Sequence, residues 1–133
     1  MAMARMLSED DQSLACRVRT AAMAELDKIF ERVDVIVTPA LGCVPPLVPH
    51  DLETGVMDMS ITSAIMRYML LANVTGIPAL VFPVGYDEES ETVICMQAMA
   101  KAWNEEVLLR VAAFADKELR PQSVKPKVEC NPL

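Results

Sequence analysis

The segment NVTGIPALVFPVGY, from Asn73 to Tyr86, carries the strongest fold signals in this chain. Gly76 is a residue type that ends helices in a left-handed conformation, and Ile77 precedes a proline, which disfavours helical geometry. Residues 79–83 then form an apolar run with a proline at each end, as expected of a short buried strand. The segment therefore predicts a helix that stops at Gly76 and a strand directly after it, and it contains no side chain suited to catalysis.

The sequence on either side of this segment predicts one more helix and one more strand. Residues 62–73 are apolar around the whole helical wheel except near Arg67, a pattern typical of a buried helix. On the other side, residues 87–91 are acidic, and residues 92–99 form a further apolar strand. Because the connection between the two strands is short, we expect them to pair.

Two amphipathic helices and one strand complete the expected elements. Ser8, followed by three acidic residues, is typical of a helix start, and apolar residues then recur at steps of three and four, which predicts a helix over residues 8–32. The run VDVIVTP, residues 33–39, predicts a central strand covered on both faces. A last helix is expected after Asn104, with one apolar side formed by Val107, Leu108, Val111, Ala112, Ala115 and Leu119.

The resulting order of helix, strand, helix, strand, strand, helix predicts an α/β fold with about three helices and three strands. Residues 40–59 contain three prolines and two glycines and are expected to form a long loop, of a length that is often functional. Residues 121–133 are predicted to be a disordered tail. With 133 residues and no internal repeat, the chain is expected to form one domain.

Composition and charge exclude several classes of function. The net charge of -7 and the scattered basic residues argue against a nucleic-acid partner. No apolar run is long enough for a transmembrane segment, so we expect a cytoplasmic location, with association with a membrane surface left open. Hydrophobic residues make up 53% of the chain and the mean hydropathy is +0.27, which suggests burial against something outside the chain.

The residue types that usually carry catalysis or bind metals form no familiar pattern. Cys16, Cys43, Cys95 and Cys130 are too widely spaced for a metal or redox motif and predict reduced thiols, and His50 is a lone loop histidine. No serine is flanked by glycines as in a nucleophile elbow, and the four isolated glycines cannot build a phosphate-binding loop. The sequence therefore predicts no cofactor and no metal site.

The ten methionines favour core packing over metal ligation. Met66 and Met69 differ from the other methionines, because they lie with Tyr68 on the all-apolar helix, where all three could line an apolar pocket instead of filling one.

Several blocks of the sequence, taken together, are similar to one family. They are Asp34-Val-Ile-Val-Thr-Pro39, Asn73-Val-Thr-Gly-Ile-Pro-Ala79, Pro83-Val-Gly-Tyr86, Met96-Gln97 and Trp103-Asn-Glu-Glu106. In order and spacing they resemble the C-terminal part of amidase-signature hydrolases, and fatty acid amide hydrolases most of all. Residues 1–120 are accordingly interpreted as the C-terminal segment of an amidase-signature domain, with the resemblance running over residues 7–119.

The resemblance implies a mixed-sheet α/β/α fold and a reaction in which a serine attacks an amide, assisted by a second serine and a lysine. In the family these groups lie upstream of the part matched here, so no catalytic residue is assigned and the chain alone is expected to be inactive. The helix before Asn73 forms a wall of the substrate cavity in the family, which assigns substrate binding to Ile65, Tyr68 and Met69. Glutamine-using relatives place an aspartate about where Met66 stands, so an apolar acyl amide is the expected substrate.

The sequence departs from the family in two places, and it leaves other functions open. Ala100-Lys101-Ala102 stands where Gly-Arg-Pro is common, and the strand ending at Gln97 lacks the usual glycines and proline. One alternative is a non-catalytic α/β module that assembles with an upstream amidase half or with itself as a homo-oligomer. Another is a carrier that binds a fatty ligand without hydrolysing it.

Overall fold

The computed structural model describes residues 8–46 and 58–119. The predicted disordered tail, His50, Cys130 and the middle of the loop over residues 40–59 lie outside the described residues. The elements, in chain order, are α1 (Glu9–Phe30), β1 (Val35–Pro39), α2 (Met59–Ile65), a turn of 3₁₀ helix (Met66–Tyr68), α3 (Leu70–Thr75), β2 (Ala79–Asp87), β3 (Thr92–Ala100) and α4 (Glu105–Leu119).

Helix α1 begins as the sequence predicts, at a capping box. The amide of Asp11 donates to the Ser8 hydroxyl over 3.1 Å, and the Ser8 amide donates back to the Asp11 carboxylate over 2.9 Å. The hydrogen bonds from the Ser8 amide and hydroxyl hold the pKa of Asp11 below its usual value. Most of the predicted apolar stripe is not covered, because Leu26 is buried whereas Leu14 and Val18 are exposed.

The three strands form an antiparallel sheet in the order β1-β3-β2. The predicted pairing of the second and third strands is confirmed, with a register shift between Pro83 and Gly85. The prediction that β1 is a central strand is wrong for the sheet that the described residues form, because β3 pairs with both other strands and leaves β1 at an edge. A β-branched run indicates burial of side chains, and it does not determine which strand has two neighbours.

One face of the sheet packs against α4 and forms the main core. Ala98, Ala100 and Leu108 are buried there, and half-buried apolar residues of β1, β2 and α4 pack around them, namely Val35, Leu80, Phe82 and Val111. The apolar side of α4 predicted from the sequence is therefore confirmed.

The other face carries α2, the 3₁₀ turn and α3, where the sequence predicts one buried helix. That prediction is wrong because two carbonyls that a continuous helix would use internally accept hydrogen bonds from elsewhere. The Ile65 carbonyl accepts from the amide of Gly42 over 3.4 Å, and the Tyr68 carbonyl accepts from Gln97 Nε2 over 3.1 Å. The amide of Met69 then bonds three residues back, to Met66, as in a 3₁₀ helix. This break gives four α-helices in the described residues instead of three.

The end of this broken helix agrees with the sequence, whereas its burial does not. Gly76 ends the helix as predicted, and the structure shows it in the left-handed conformation, with a φ of 76° and its amide donating to the Ala72 carbonyl over 2.8 Å. Ala72 and Thr75 are buried, but Ile61, Leu70, Leu71 and Val74 are exposed. The apolar helical segment is therefore covered by the described residues on one side only.

Candidate functional site

An apolar cleft lies beside the broken helix. Its volume is about 520 Å³, within the range of roughly 300 to 1,000 Å³ that is usual for small-molecule sites. The lining consists of residues 39–45, Met69, Val81 and residues 92–95. The cleft is thus formed by the loop after β1, the turn before α3 and strands β2 and β3.

The loop that forms one wall is attached to the helix through Gly42. A Cβ atom at this position would lie 2.1 Å from the carbonyl oxygen of Ala64 and 2.9 Å from the Cβ of Arg67, so a larger residue does not fit. The loop is also attached to the sheet, since the amide of Ala40 donates to the Cys95 carbonyl over 3.1 Å. These two contacts hold residues 41–45 in place as one wall of the cleft.

A buried glutamine holds the helix on the same face of the sheet. Gln97 is 4% exposed, and its side chain supplies the bond to the Tyr68 carbonyl. Thr38 lies opposite Gln97 in the register between β1 and β3, and its buried hydroxyl has no hydrogen-bond partner among the described residues. The Gln97 side chain therefore positions the helix, while the lining of the cleft includes no charged side chain.

The three residues predicted to bind substrate lie close together along the break in the helix. Ile65 ends α2, Tyr68 ends the 3₁₀ turn and Met69 follows it, and all three are half-buried. Met69 lines the cleft, whereas Ile65 and Tyr68 are not part of its lining and contribute main-chain carbonyls to the contacts with Gly42 and Gln97. Their role in binding a substrate stays a prediction.

The chemistry available in the cleft is that of binding. Its lining includes no charged side chain, and Thr92, Cys43 and Cys95 carry its side-chain polar atoms. In residues 8–46 and 58–119 no group of three metal-ligating side chains is found. The arrangement can hold and orient a hydrocarbon group, and it provides no acid–base pair of its own.

The acidic residues with lowered pKa values lie at structural positions. The pKa of Asp58 is lowered by hydrogen bonds from the Ser60 hydroxyl and from the amides at the start of α2. The Ser90 hydroxyl and turn amides lower the pKa of Asp87. Helix capping and turn formation account for both shifts.

Sequence reasoning missed most of the cleft lining. The prolines and glycines of residues 40–59 indicated a loop that could be functional, and residues 41–45 indeed form one wall. The sequence does not predict that residues 92–95 line the cleft, because an apolar strand has the same sequence pattern whether a cleft or a helix covers it. Among the described residues, Cys16, Cys43 and Cys95 form no disulfide, and Cys16 and Cys43 are exposed.

Across the chain segments that the structure describes, no helix has the length and apolar character needed to cross a bilayer.

Comparison with known proteins identifies the family. A profile of the Amidase family matches residues 1–109. A fatty acid amide hydrolase of Arabidopsis thaliana is 40% identical over 125 residues, which are 93% of this chain and 20% of that protein. A fatty acid amide hydrolase of Medicago truncatula is 42% identical over 101 residues, covering 75% of this chain and 16% of that protein.

A solved structure supports the fold. A 6-aminohexanoate cyclic dimer hydrolase superposes with a TM-score of 0.74 at 19% identity, over 93% of this chain and 27% of that one. The chain therefore belongs to the Amidase family, and its α/β fold is that of an amidase-signature hydrolase. It spans about a fifth of the length of the curated relatives it matches.

Proposed function

We propose that this chain forms the C-terminal part of an amide hydrolase that acts on an apolar, fatty acyl amide. In this proposal it supplies part of the sheet and a wall of the acyl pocket. Met69 lines the described cleft, and Ile65 and Tyr68 would contact the substrate from the same helix, outside that lining. The serine, serine and lysine that carry out hydrolysis in the family would come from sequence outside this chain, so that the chain alone is inactive.

The observation that carries the proposal is the uncharged lining of the cleft, with Met69 in its wall. An alkyl chain is stabilised in such a site by removal of apolar surface from water, at about 25 cal/mol per Å². A substrate amino group, in contrast, would need a carboxylate partner to compensate for its lost hydration. Met66, which stands where glutamine-using relatives are expected to have an aspartate, supports the same choice of an apolar acyl group.

A chimaeric enzyme tests this proposal. This chain would replace the matching segment of the Arabidopsis fatty acid amide hydrolase, and hydrolysis of long-chain and short-chain acyl amides would be compared. We expect activity that favours the long chain, and we expect Met69→Asp to reduce kcat/KM for the long chain by at least about tenfold, since a charge in the pocket opposes burial of methylenes.

The matched control is Met23→Asp, because Met23 is an exposed methionine on α1 and lies outside the cleft. Equal losses with the two aspartates, or a chimaera without chain-length preference, would contradict the assigned wall. Hydrolysis of an acyl amide by the isolated chain that persists after serine-directed inhibition would contradict the assignment of catalysis to residues outside it.

A second candidate function, assembly without catalysis, is favoured by large exposed apolar residues. Trp103 is 93% exposed, and Phe114 and Leu109 are exposed on α4. Aromatic residues of this kind are enriched at the centres of protein interfaces. The partner would be an upstream amidase half or a second copy of the chain. The outer edges of β1 and β2, to which no strand of residues 8–46 and 58–119 pairs, would also suit such a partner.

The fluorescence of the one tryptophan reports on this second proposal. Burial of Trp103 in an interface should shift its emission to shorter wavelength as the chain is concentrated, together with a rise in mass by light scattering. A monomer with unchanged emission at high concentration would rule out self-assembly. Titration with an upstream amidase half, followed by the same emission, then tests the other partner.

Two further expectations, membrane association and ligand carriage without hydrolysis, follow from the apolar cleft. A cytoplasmic protein whose substrate is an apolar acyl amide could take that substrate from a membrane surface, so membrane association stays part of the proposal. A carrier that binds a fatty ligand without hydrolysis would bind the ligand in the isolated chain and gain no activity in the chimaera.

A further inference from the structure

Two free thiols lie in the cleft, and the proposed amide chemistry uses neither. Cys43 is exposed in the loop after β1, and Cys95 is half-buried in β3. The hydrogen bond from Ala40 to the Cys95 carbonyl holds the two segments together. Cys16 is also exposed, but it lies on α1 outside the cleft. The chain thus contains exposed thiols with and without an adjoining apolar cleft.

The rest of the lining suits a hydrocarbon ligand. Leu41, Val44, Val81 and Ile94 contribute aliphatic surface, and the volume is sufficient for a flexible chain. Cysteine is the most nucleophilic of the common side chains near neutral pH. A hydrocarbon with an electrophilic end would therefore be held beside a nucleophile, so that binding raises the rate of their reaction.

We propose that the cleft binds long-chain α,β-unsaturated aldehydes and that Cys43 reacts with them by conjugate addition. The Sγ of the thiolate forms a bond to the β-carbon, the carbon–carbon π bond breaks, and its electron pair moves into the enolate. The α-carbon then takes a proton from water, which replaces the proton that the thiol released. One aldehyde adds to one thiol, without a leaving group and without an oxidant or reductant. The proposal does not depend on amide hydrolysis.

Chain length is the variable that separates this site from an ordinary exposed thiol. Transfer of one methylene out of water favours the bound state by roughly fourfold. The three-carbon aldehyde 2-propenal has no tail to bury, whereas 2-nonenal has a long one. Burial of only two or three of its methylenes should therefore favour Cys43 over Cys16 by at least about tenfold.

The test labels the full chain separately with 2-propenal and 2-nonenal under reducing-agent-free conditions. Adducts are fixed with borohydride, and peptide mapping by mass spectrometry gives the labelling rate at each cysteine. We expect similar rates at Cys43 and Cys16 with 2-propenal, and a preference of at least about tenfold for Cys43 with 2-nonenal. An equal ratio of the two rates with both aldehydes would overturn the proposal.

Two lysine variants separate the cleft from general changes in reactivity. Val81→Lys places a charge in the cleft at a residue that is 52% exposed. Val37→Lys is its matched control, because Val37 is a strand residue of similar exposure, at 47%, on the opposite face of the sheet. Only Val81→Lys should remove the preference of 2-nonenal for Cys43.

The rates with 2-propenal and the far-ultraviolet circular dichroism of both variants check that each is folded. Retention of the preference in Val81→Lys, or its loss in both variants, would show that the cleft does not bind the aldehyde. If Val81→Lys does not fold, Cys43→Ala decides instead: rapid labelling of the chain by 2-nonenal should be lost while Cys16 keeps its rate, and equally rapid labelling at Cys95 would overturn the assignment to Cys43.

Discussion

The two faces of the sheet use the same three strands and are covered in different ways. On one face α4 packs along β2 and β3 and buries Ala98, Ala100 and Leu108. On the other face the covering helix is broken, much of it is exposed, and a cleft remains beside it. The α4 face is held by apolar contact, whereas the cleft face depends on a few directed contacts made by Gly42 and Gln97.

This difference separates the packed core of the chain from its cleft. On the α4 face Ala98, Ala100 and Leu108 are packed among half-buried apolar neighbours, and a close-packed core of this kind contains few voids. The bonds that break the helix on the other face remove two carbonyls from its internal ladder and place Met69 at the cleft. The α4 face therefore supplies the packed core, and the other face contains the cleft.

The largest effect is expected on the α4 face. Leu108 is 2% exposed, so Leu108→Ala should leave a cavity and lower the free energy of unfolding by about 2–5 kcal/mol. Denaturant unfolding followed by circular dichroism measures the change. The control is the neighbouring Leu109→Ala at 62% exposure, which should stay within about 0.5 kcal/mol of the parent chain. Equal losses would mean that α4 is not packed as described.

On the cleft face, Gly42→Ala should have the next largest effect. The added Cβ would overlap backbone atoms of α2, and such overpacking lowers the free energy of unfolding by about 1–3 kcal/mol. We expect lower stability together with faster amide exchange in the loop and at residues 65–69. Gly85→Ala is the control, because its Cβ would meet the nearest atom at 3.9 Å, an ordinary contact. If Gly42→Ala keeps the stability of the parent chain and its amide exchange is unchanged, the cleft face does not depend on the contact at Gly42.

A smaller effect is expected when the buried glutamine loses its polar group. Gln97→Met keeps the size of the side chain and removes the bond to the Tyr68 carbonyl, which should cost about 1 kcal/mol. Amide exchange around Met69 should rise while exchange in α4 stays the same. Gln12→Met, on the exposed surface of α1, serves as the control. A uniform rise over the whole chain would indicate general destabilisation instead of release of the helix.

The smallest effect concerns pH and the start of α2. The pKa of Asp58 is lowered in the folded state, so its contribution to stability is complete above the ordinary aspartate value of about 4 and is lost as the pH falls through the lower, folded value. Amide shifts of Ser60 and Ile61, measured by NMR, should titrate with a midpoint below that ordinary value. Asp58→Asn keeps a capping side chain and should abolish the titration. A midpoint at or above the ordinary value would contradict the capping bonds.

The parts of the fold that the sequence predicted are those set by local rules. The apolar side of α4 follows from a 3.6-residue period, the end of α3 from Gly76, and the β2–β3 pair from a short connection. The break in the helix over residues 62–73 could not be predicted in this way. It depends on Gly42 and Gln97, which are distant in sequence and whose partners are main-chain atoms with no residue signature.

The candidate site was predicted in the same uneven way. The resemblance pointed to the helix before Asn73, and Met69 of that helix does line the cleft. The opposite wall, at residues 41–45, is held by the close approach of Gly42 to the carbonyl of Ala64. A single glycine in a proline-rich loop does not predict that contact. Periodicity indicates which residues share a face, and it does not indicate what covers that face.

The few contacts that attach α1 determine which part of the molecule unfolds first. This helix has 22 residues, of which Leu26 is buried, and Arg19 ties it to α3 by donating from Nε to the Val74 carbonyl over 2.8 Å. A guanidinium at the C-terminal end of a helix is a favourable charge–dipole contact that salt weakens. Helix α1 is therefore the segment that should separate first from the rest of the fold, at a free energy below that of global unfolding and more readily at high ionic strength.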